Sequence, residues 1–125
     1  GGNYRTGNWQ GYREDLIATI NLGKEKEIST ISLGCMQDIK SWIFFPKKVE
    51  YFSSVNGVDF TFLGTINTTF SDSLEGSFVN DYTLRLKNTK AKYIKVKAKN
   101  YGICPDWHLG AGGKTWLFVD ELIIK

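Results

Sequence analysis

The side chains best suited to chemistry gather in one stretch of the sequence, from Tyr101 to Glu121. It holds two large aromatic residues, Tyr101 and Trp107, the chain's single histidine, His108, and glycines at positions 102, 110, 112 and 113. The pattern predicts a long loop between two strands. Loops carried on a rigid scaffold are common binding sites, and large aromatics in one either close over a core or face a ligand.

The sequence argues against catalysis by these residues. An enzyme needs an acid, base, nucleophile or metal held in a polar pocket. Cys104 lies four residues before His108, but in a loop that spacing fixes no Cys–His geometry. Asp120 and Glu121 are adjacent in a predicted strand, so they point to opposite faces. No glycine-rich phosphate-binding loop occurs. A small hydrolase using His108 remains as a weak alternative.

Carbohydrate binding makes a smaller demand on the residues present. A sugar places its C–H face on an exposed aromatic ring and hydrogen-bonds to polar groups around it, directly or through water. The predicted loops supply both kinds of residue. The aromatic candidates are Trp9, Tyr12, Trp42, Tyr101 and Trp107, and the polar candidates are Arg5, Gln10, Arg13, Gln37, Asp38, Asn100, Asp106 and His108.

Each candidate also has a structural interpretation. Trp42 stands in the run Trp-Ile-Phe-Phe-Pro, which is more typical of a core than of a sugar platform. His108 could simply hydrogen-bond a loop carbonyl. The assignments retained for sugar binding are Trp9, Tyr12, Gln37, Asp38, Tyr101, Trp107 and His108.

Length and composition fit one globular domain covering residues 1–125. The chain opens without methionine, which favours a fragment of a longer protein. A net charge of +3 is too small to indicate nucleic-acid binding. In the basic run from Arg85 to Lys99, Lys95, Lys97 and Lys99 share one strand parity, as on a solvated sheet face. No apolar run is long enough to span a membrane. Cys35 and Cys104 lack metal or redox spacing, so two half-buried free thiols and one disulfide both stay open.

Alternating apolar residues predict strands at 16–22, 28–35, 47–54, 58–66, 82–86, 94–98 and 116–124. Gly23-Lys24 and residues 88–91 read as turns, and Asn56-Gly57 is a strong hairpin signal. Seven or eight short strands without helical periodicity indicate an all-β, antiparallel β-sandwich. The long loop after Tyr101 favours a crossover between sheets, as in jelly rolls.

Several of these segments resemble the discoidin, or coagulation factor 5/8 type C, superfamily over nearly the whole chain. More narrowly, the chain resembles the family 32 carbohydrate-binding modules of bacterial, chitobiase-like β-N-acetylhexosaminidases. The segments that carry the resemblance are Trp9-Gln10-Gly11-Tyr12 with Asp15, Ala18 to Gly23, Gln37-Asp38, Trp42-Ile43-Phe44 with Pro46, Ser54 to Gly57 with Phe60, Ala91 to Val96, Cys104 to His108, and Trp116 to Glu121.

The resemblance implies a discoidin-like, galactose-binding-domain-like jelly roll that is not an enzyme. It implies that end loops hold a galactose- or N-acetylhexosamine-type glycan and so target the parent chain's catalytic domain, a glycoside hydrolase. Extracellular, periplasmic or cell-surface location, a monomeric state and no membrane insertion are further expectations. Glu121 matches a structural calcium ligand of the family, although the family's first strand and Asp-Gly turn are missing before Gly1. The alternative is a domain-docking module that binds no free sugar.

Overall fold

The computed structural model describes residues 4–6, 11–69 and 76–125, and the side chains of 13–69 and 76–125. Its seven strands are β1 (Tyr4–Thr6), β2 (Gly11–Tyr12), β3 (Leu16–Asp38), β4 (Lys48–Ser54), β5 (Thr61–Asn67), β6 (Ser77–Ala98) and β7 (Leu117–Ile124). All strand pairs are antiparallel. Within these described ranges the helical structure is one 3-10 turn, Ile39–Ser41. The predicted all-β class is confirmed.

Two long strands, β3 and β6, organise the sheets. They pair with each other from Leu16↔Ala98 to Asp38↔Ser77, with register shifts in the middle. The start of β3 and the end of β6 continue into β4 and β5, whereas the other halves continue into β7, β1 and β2. The strands bend at the shifts, because bulges raise local twist. The two halves therefore form the two layers of a β-sandwich.

The sequence prediction of chain reversals at Gly23-Lys24 and residues 88–91 is wrong. Gly23 has a φ of 88° and Asn88 a φ of 48°, and both lie beside the register shifts rather than in hairpins. A positive φ is compatible with a bulge as well as with a turn. The hairpin between β4 and β5 is confirmed, but its loop is longer than the predicted Asn56-Gly57 turn. β5 begins at Thr61 rather than at residue 58, and of the two predicted turn residues only Gly57, with a φ of 79°, has a positive φ.

One continuous core fills the space between the layers and draws on β3, β4, β6 and β7. Tyr51 of β4 is fully buried. Its hydroxyl accepts a hydrogen bond from the Leu33 N–H and donates one to the Tyr82 carbonyl. Leu33 and Tyr82 are cross-strand partners in the opposite layer. The phenol therefore ties the two layers together, and its burial raises the pKa of Tyr51.

Both cysteines are buried free thiols, which settles the question that the sequence left open. Burial, aided by the charges of Asp81 and Asp120, raises the pKa of Cys35 to about 12. Lys95 and Lys97 lie on the outer face of the sheet formed by β4 and β6, opposite the buried Ile94 and Val96, as their shared parity predicts. Lys95 Nζ lies 4.0 Å from the centroid of the Phe60 ring, so this face combines cations with aromatic rings.

Candidate functional site

The turn that leaves β3 builds the floor of the candidate site. Asp38 and Ile43 exchange two backbone hydrogen bonds of 2.8 and 3.0 Å around the 3-10 turn. Trp42 ends that turn with a φ of 64°, in the left-handed region. This conformation places Trp42 outward, 36% exposed, and Phe44 inward, 2% exposed. Phe44 thus forms a buried aromatic base under the long loop.

The loop between β6 and β7, residues 99–116, is closed by hydrogen bonds across its neck. The Thr115 hydroxyl lies 2.9 Å from Asn100 Oδ1, which also accepts a 2.7 Å bond from the Gly102 N–H. Further along, the Cys104 N–H donates to the Gly113 carbonyl at 2.7 Å. These cross-links fix the shape of a segment that has little regular secondary structure.

His108 fastens this loop to the 3-10 turn. Its Nδ1 accepts a 2.8 Å hydrogen bond from the Gly110 N–H. The proton of a neutral imidazole is therefore on Nε2, which lies 2.6 Å from the Ile39 carbonyl and donates to it. His108 is only 8% exposed. Both nitrogens are engaged with the backbone, as in the structural interpretation that the sequence left open, and the ring is not presented to a ligand.

Two loop glycines are explained by Trp42. A Cβ at Gly110 would lie 2.4 Å from Trp42 Cζ2, and a Cβ at Gly113 would lie 2.5 Å from Trp42 Cζ3. The indole therefore rests directly on the loop backbone. It also meets the His108 ring edge-on, with centroids 6.0 Å apart. Trp42 consequently supports the loop while one part of it stays exposed.

Tyr101 and Trp107 are the two aromatic side chains of the loop that lie against Phe44, and we call them the aromatic platform. Trp116, at the end of the loop, is also 37% exposed. The Tyr101 ring stacks on Phe44 at 4.7 Å and 24°. The Trp107 ring lies 6.4 Å from Phe44 and 6.0 Å from His108. Tyr101 is half-buried, whereas Trp107 is 50% exposed. The structure thus brings these two predicted residues together on one buried ring.

A charged cleft of about 260 Å³ opens beside Tyr101. Its charged lining consists of Arg13, Glu14, Asp15, Lys47, Lys99 and Lys114. Arg13 Cζ lies 5.1 Å from the centroid of the Trp116 ring, and Lys47 Nζ lies 5.8 Å from that of Tyr101. The cleft joins the aromatic platform through Tyr101.

Sequence reasoning missed this cleft as a unit, although Arg13 was among its polar candidates. The positions of lysines at the ends of two predicted strands could have indicated the cleft. Lys47 precedes β4 and Lys99 follows β6, and antiparallel pairing brings such positions together. In the structure the Lys47 N–H donates to the Lys99 carbonyl at 2.8 Å.

The other predicted residues occupy different surroundings. Gln37 is 2% exposed, and its Oε1 accepts a hydrogen bond from the Phe45 N–H, so it lies inside the protein rather than at a binding surface. Asp38 is half-buried and accepts a 3.3 Å bond from Ser41 Oγ. Trp9 lies outside the described residues. Tyr12 pairs with Leu117, but its side chain is not among those described.

The calcium expectation receives no support from the side chains at 13–69 and 76–125. Glu121 lies on β7, opposite Gly34 of β3. No three histidine, cysteine or carboxylate side chains in those ranges are grouped as a metal site would require. Calcium takes six to eight oxygen ligands, which can also be backbone and amide carbonyls. The N-terminal loop groups expected to contribute fall largely outside the ranges. Calcium stays a prediction.

Comparison with known proteins supports the fold. No family model matches the chain, and no curated protein matches it. Among solved structures, it is similar to the C-terminal domain of a chitobiase from Bacteroides fragilis, with a TM-score of 0.51 and 18% identity. The match covers 89% of this chain and 62% of that structure. Within the described ranges, no helix is long and apolar enough to cross a membrane.

Proposed function

We propose that this chain is a non-catalytic carbohydrate-binding module that holds a glycan at its end loops and targets an attached glycoside hydrolase. The observation that carries the proposal is Trp107, a large aromatic side chain left 50% exposed on a loop that is otherwise anchored. The indole is held by contacts with Phe44 and His108. A fixed, exposed ring is the surface that the C–H face of a sugar requires.

The rigidity of the loop supports this assignment. Binding costs free energy when side chains must be ordered on contact with the ligand. Here the hydrogen bonds of His108 and the packing of Trp42 on Gly110 order the loop in advance. Pre-ordering lowers the entropic cost of stacking a sugar on Trp107. This reasoning applies to a ligand that, like a neutral sugar, offers few strong contacts.

The proposed ligand is a galactose- or N-acetylhexosamine-type glycan, and the proposed partner is the catalytic domain of the parent chain. Support comes from the sequence resemblance and from the structural likeness to a domain of a chitobiase. An extracellular, periplasmic or cell-surface location and a monomeric state belong to the same proposal, on the same support.

A glycan array with this protein tests the proposal. The variants are Trp107→Ala and a matched control, Leu109→Ala, which removes the fully exposed apolar side chain two residues away. Stacking on the indole predicts binding to a coherent set of galactosides or N-acetylhexosaminides that Trp107→Ala abolishes and Leu109→Ala preserves. A blank array from folded protein, with and without calcium, would refute sugar binding.

A domain-docking module is the second candidate, and one observation favours it. Ile103, Trp107 and Leu109 are 60%, 50% and 107% exposed on the same loop, which is more apolar exposure than a loop usually carries. Docking predicts that Leu109→Ala and Trp107→Ala both weaken association with the parent catalytic domain. Sugar stacking predicts that Trp107 alone matters, so the same pair of variants separates the two functions.

A further inference from the structure

We infer that the charged cleft beside Tyr101 receives an acidic sugar residue, one that carries a carboxylate or a sulfate ester. The inference rests on the proposed function and specifies the class of glycan. Four cationic side chains, Arg13, Lys47, Lys99 and Lys114, and two carboxylates, Glu14 and Asp15, line the cleft. The lining therefore has a surplus of two positive charges next to an aromatic wall.

The two carboxylates leave much of that positive charge available. Asp15 Oδ1 accepts a 2.9 Å hydrogen bond from the Asn100 N–H, and Oδ2 lies 3.9 Å from Lys99 Nζ. Asp15 thus serves mainly to fix the start of the loop. Glu14 and Lys114 form a 3.3 Å pair with side-chain exposures of 82% and 60%. Water screens such an exposed pair strongly, and a ligand anion can replace Glu14.

Arg13 and Lys47 lie over aromatic rings, and among the side chains of residues 13–69 and 76–125 neither forms a salt bridge with a carboxylate. Their cationic centres lie 5.1 Å from the Trp116 centroid and 5.8 Å from the Tyr101 centroid. A cation over a ring keeps its full charge and its remaining N–H donors. A guanidinium presents those donors in a planar fork that matches a carboxylate or a sulfate. The rings thus orient both cations without neutralising them.

The size and walls of the cleft suit one sugar residue. Its volume of about 260 Å³ is below the range of pockets that enclose drug-sized ligands. Tyr101 and Ile103 supply apolar wall, against which the C–H face of a pyranose can pack. Because Tyr101 also belongs to the aromatic platform, an acidic residue in the cleft can be followed by a neutral residue towards Trp107.

Isothermal titration calorimetry with chondroitin-type tetrasaccharides tests the inference. The probes are unsulfated chondroitin, which carries carboxylates only, its carboxyl-reduced neutral form, and chondroitin 4-sulfate. We expect the wild-type protein to bind unsulfated chondroitin about tenfold more tightly than the neutral form, with a preference that shrinks as salt is added. Additional preference for chondroitin 4-sulfate would assign the cleft to the sulfate ester, and its absence to the carboxylate.

The variants are Arg13→Gln/Lys47→Gln and the control Lys92→Gln. Lys92 also lies over a tyrosine ring, 5.6 Å from the Tyr93 centroid, but does not line the cleft. We expect the double variant to unfold at the wild-type melting temperature and to bind acidic and neutral probes with equal affinity, so that the preference for acidic probes is lost. Lys92→Gln should retain it.

Equal affinity of the wild type for acidic and neutral probes would overturn the inference and leave the proposed function standing. An unchanged preference in the double variant would overturn it in the same way. Failure to bind any glycan on the array would instead remove the proposed function, and this inference with it.

Discussion

Replacing Gly110 with alanine tests whether the packing of Trp42 shapes the candidate site. The φ of Gly110 lies outside the left-handed region, so an alanine there meets a steric obstacle rather than backbone strain. Its Cβ would lie 2.4 Å from Cζ2 and 2.6 Å from Cε2 of Trp42. Real contacts of a Cβ are longer than this by about an ångström. Either the indole or the loop must therefore move.

The expected loss of stability depends on how easily the Trp42 indole or the loop can move. Overpacking of an ordered site typically costs about 1–3 kcal/mol, and the partial exposure of Trp42 allows some relief. We expect Gly110→Ala to lose about 2 kcal/mol, which corresponds to roughly 8 °C in melting temperature for a domain of this size. Because the displaced loop carries Trp107, glycan binding should weaken as well.

A double-mutant cycle with Trp42→Ala identifies the cause. If the indole is the obstacle, the cost of Gly110→Ala should nearly vanish when Trp42 is already alanine. Gly113→Ala should be rescued only in part, since its Cβ would also lie 3.0 Å from the Gly110 carbonyl oxygen. Thermal unfolding of the single and double variants measures both. A penalty for Gly110→Ala that persists unchanged without the indole would refute the reasoning.

Three further predictions address the scaffold. Tyr51→Phe should lower the free energy of unfolding by about 2–3 kcal/mol in urea titrations, because it leaves two buried backbone groups without their bridge; a loss below about 0.5 kcal/mol would contradict this role. His108→Ala should lower the free energy of unfolding by a similar amount, because its hydrogen bonds to Ile39 and Gly110 are lost. The wild type should not hydrolyse chromogenic glycosides, and hydrolysis that disappears in His108→Ala would instead indicate a catalytic histidine. The pKa of the Cys35 thiol rises from 9.0 to about 12 on folding, so the stability that comes from keeping it protonated is complete below pH 9 and is lost as the pH rises towards 12. We expect the free energy of unfolding to fall by about 2 kcal/mol between about pH 9 and pH 10.5, and to fall less in Cys35→Ala. The same dependence of unfolding free energy on pH in both proteins would contradict this.

The all-β fold class could be predicted because the alternation of apolar residues along a strand is a local signal. The Asn56-Gly57 signal located the hairpin of β4 and β5, because a hairpin is decided by neighbouring residues, although β5 begins at Thr61 and the loop is longer than two residues. The continuity of β3 through Gly23 was not found. A glycine with positive φ fits both a turn and a bulge, and the choice depends on pairing with β6 far along the chain. The long strands that shape the sandwich therefore lay beyond local patterns.

The same difference between local and long-range signals applies to the candidate site. The aromatic, glycine-rich composition of the loop indicated Tyr101 and Trp107 as candidates for sugar binding, and both rings lie against Phe44. The contact of Trp42 with Gly110 and Gly113 joins residues about 70 positions apart, and spacing in the sequence cannot encode it. His108 looked suited to a ligand by residue type alone. In the structure its Nε2 bonds to the backbone carbonyl of Ile39, and because every residue has such a carbonyl, the residue types do not reveal this partner.

The exposure of Trp107 is the feature that packing does not explain. The other large aromatics around it have structural duties: Phe44 is the buried base, Tyr101 stacks on it, and Trp42 supports the glycines. Trp107 lies against Phe44 and His108 and yet leaves half of its surface in water. Leaving a tryptophan there forgoes part of the hydrophobic stabilisation that full burial gives, about 25 cal/mol per Å². A smaller residue could cover Phe44 without that loss, and this is why we propose that a glycan covers the indole when the protein is bound.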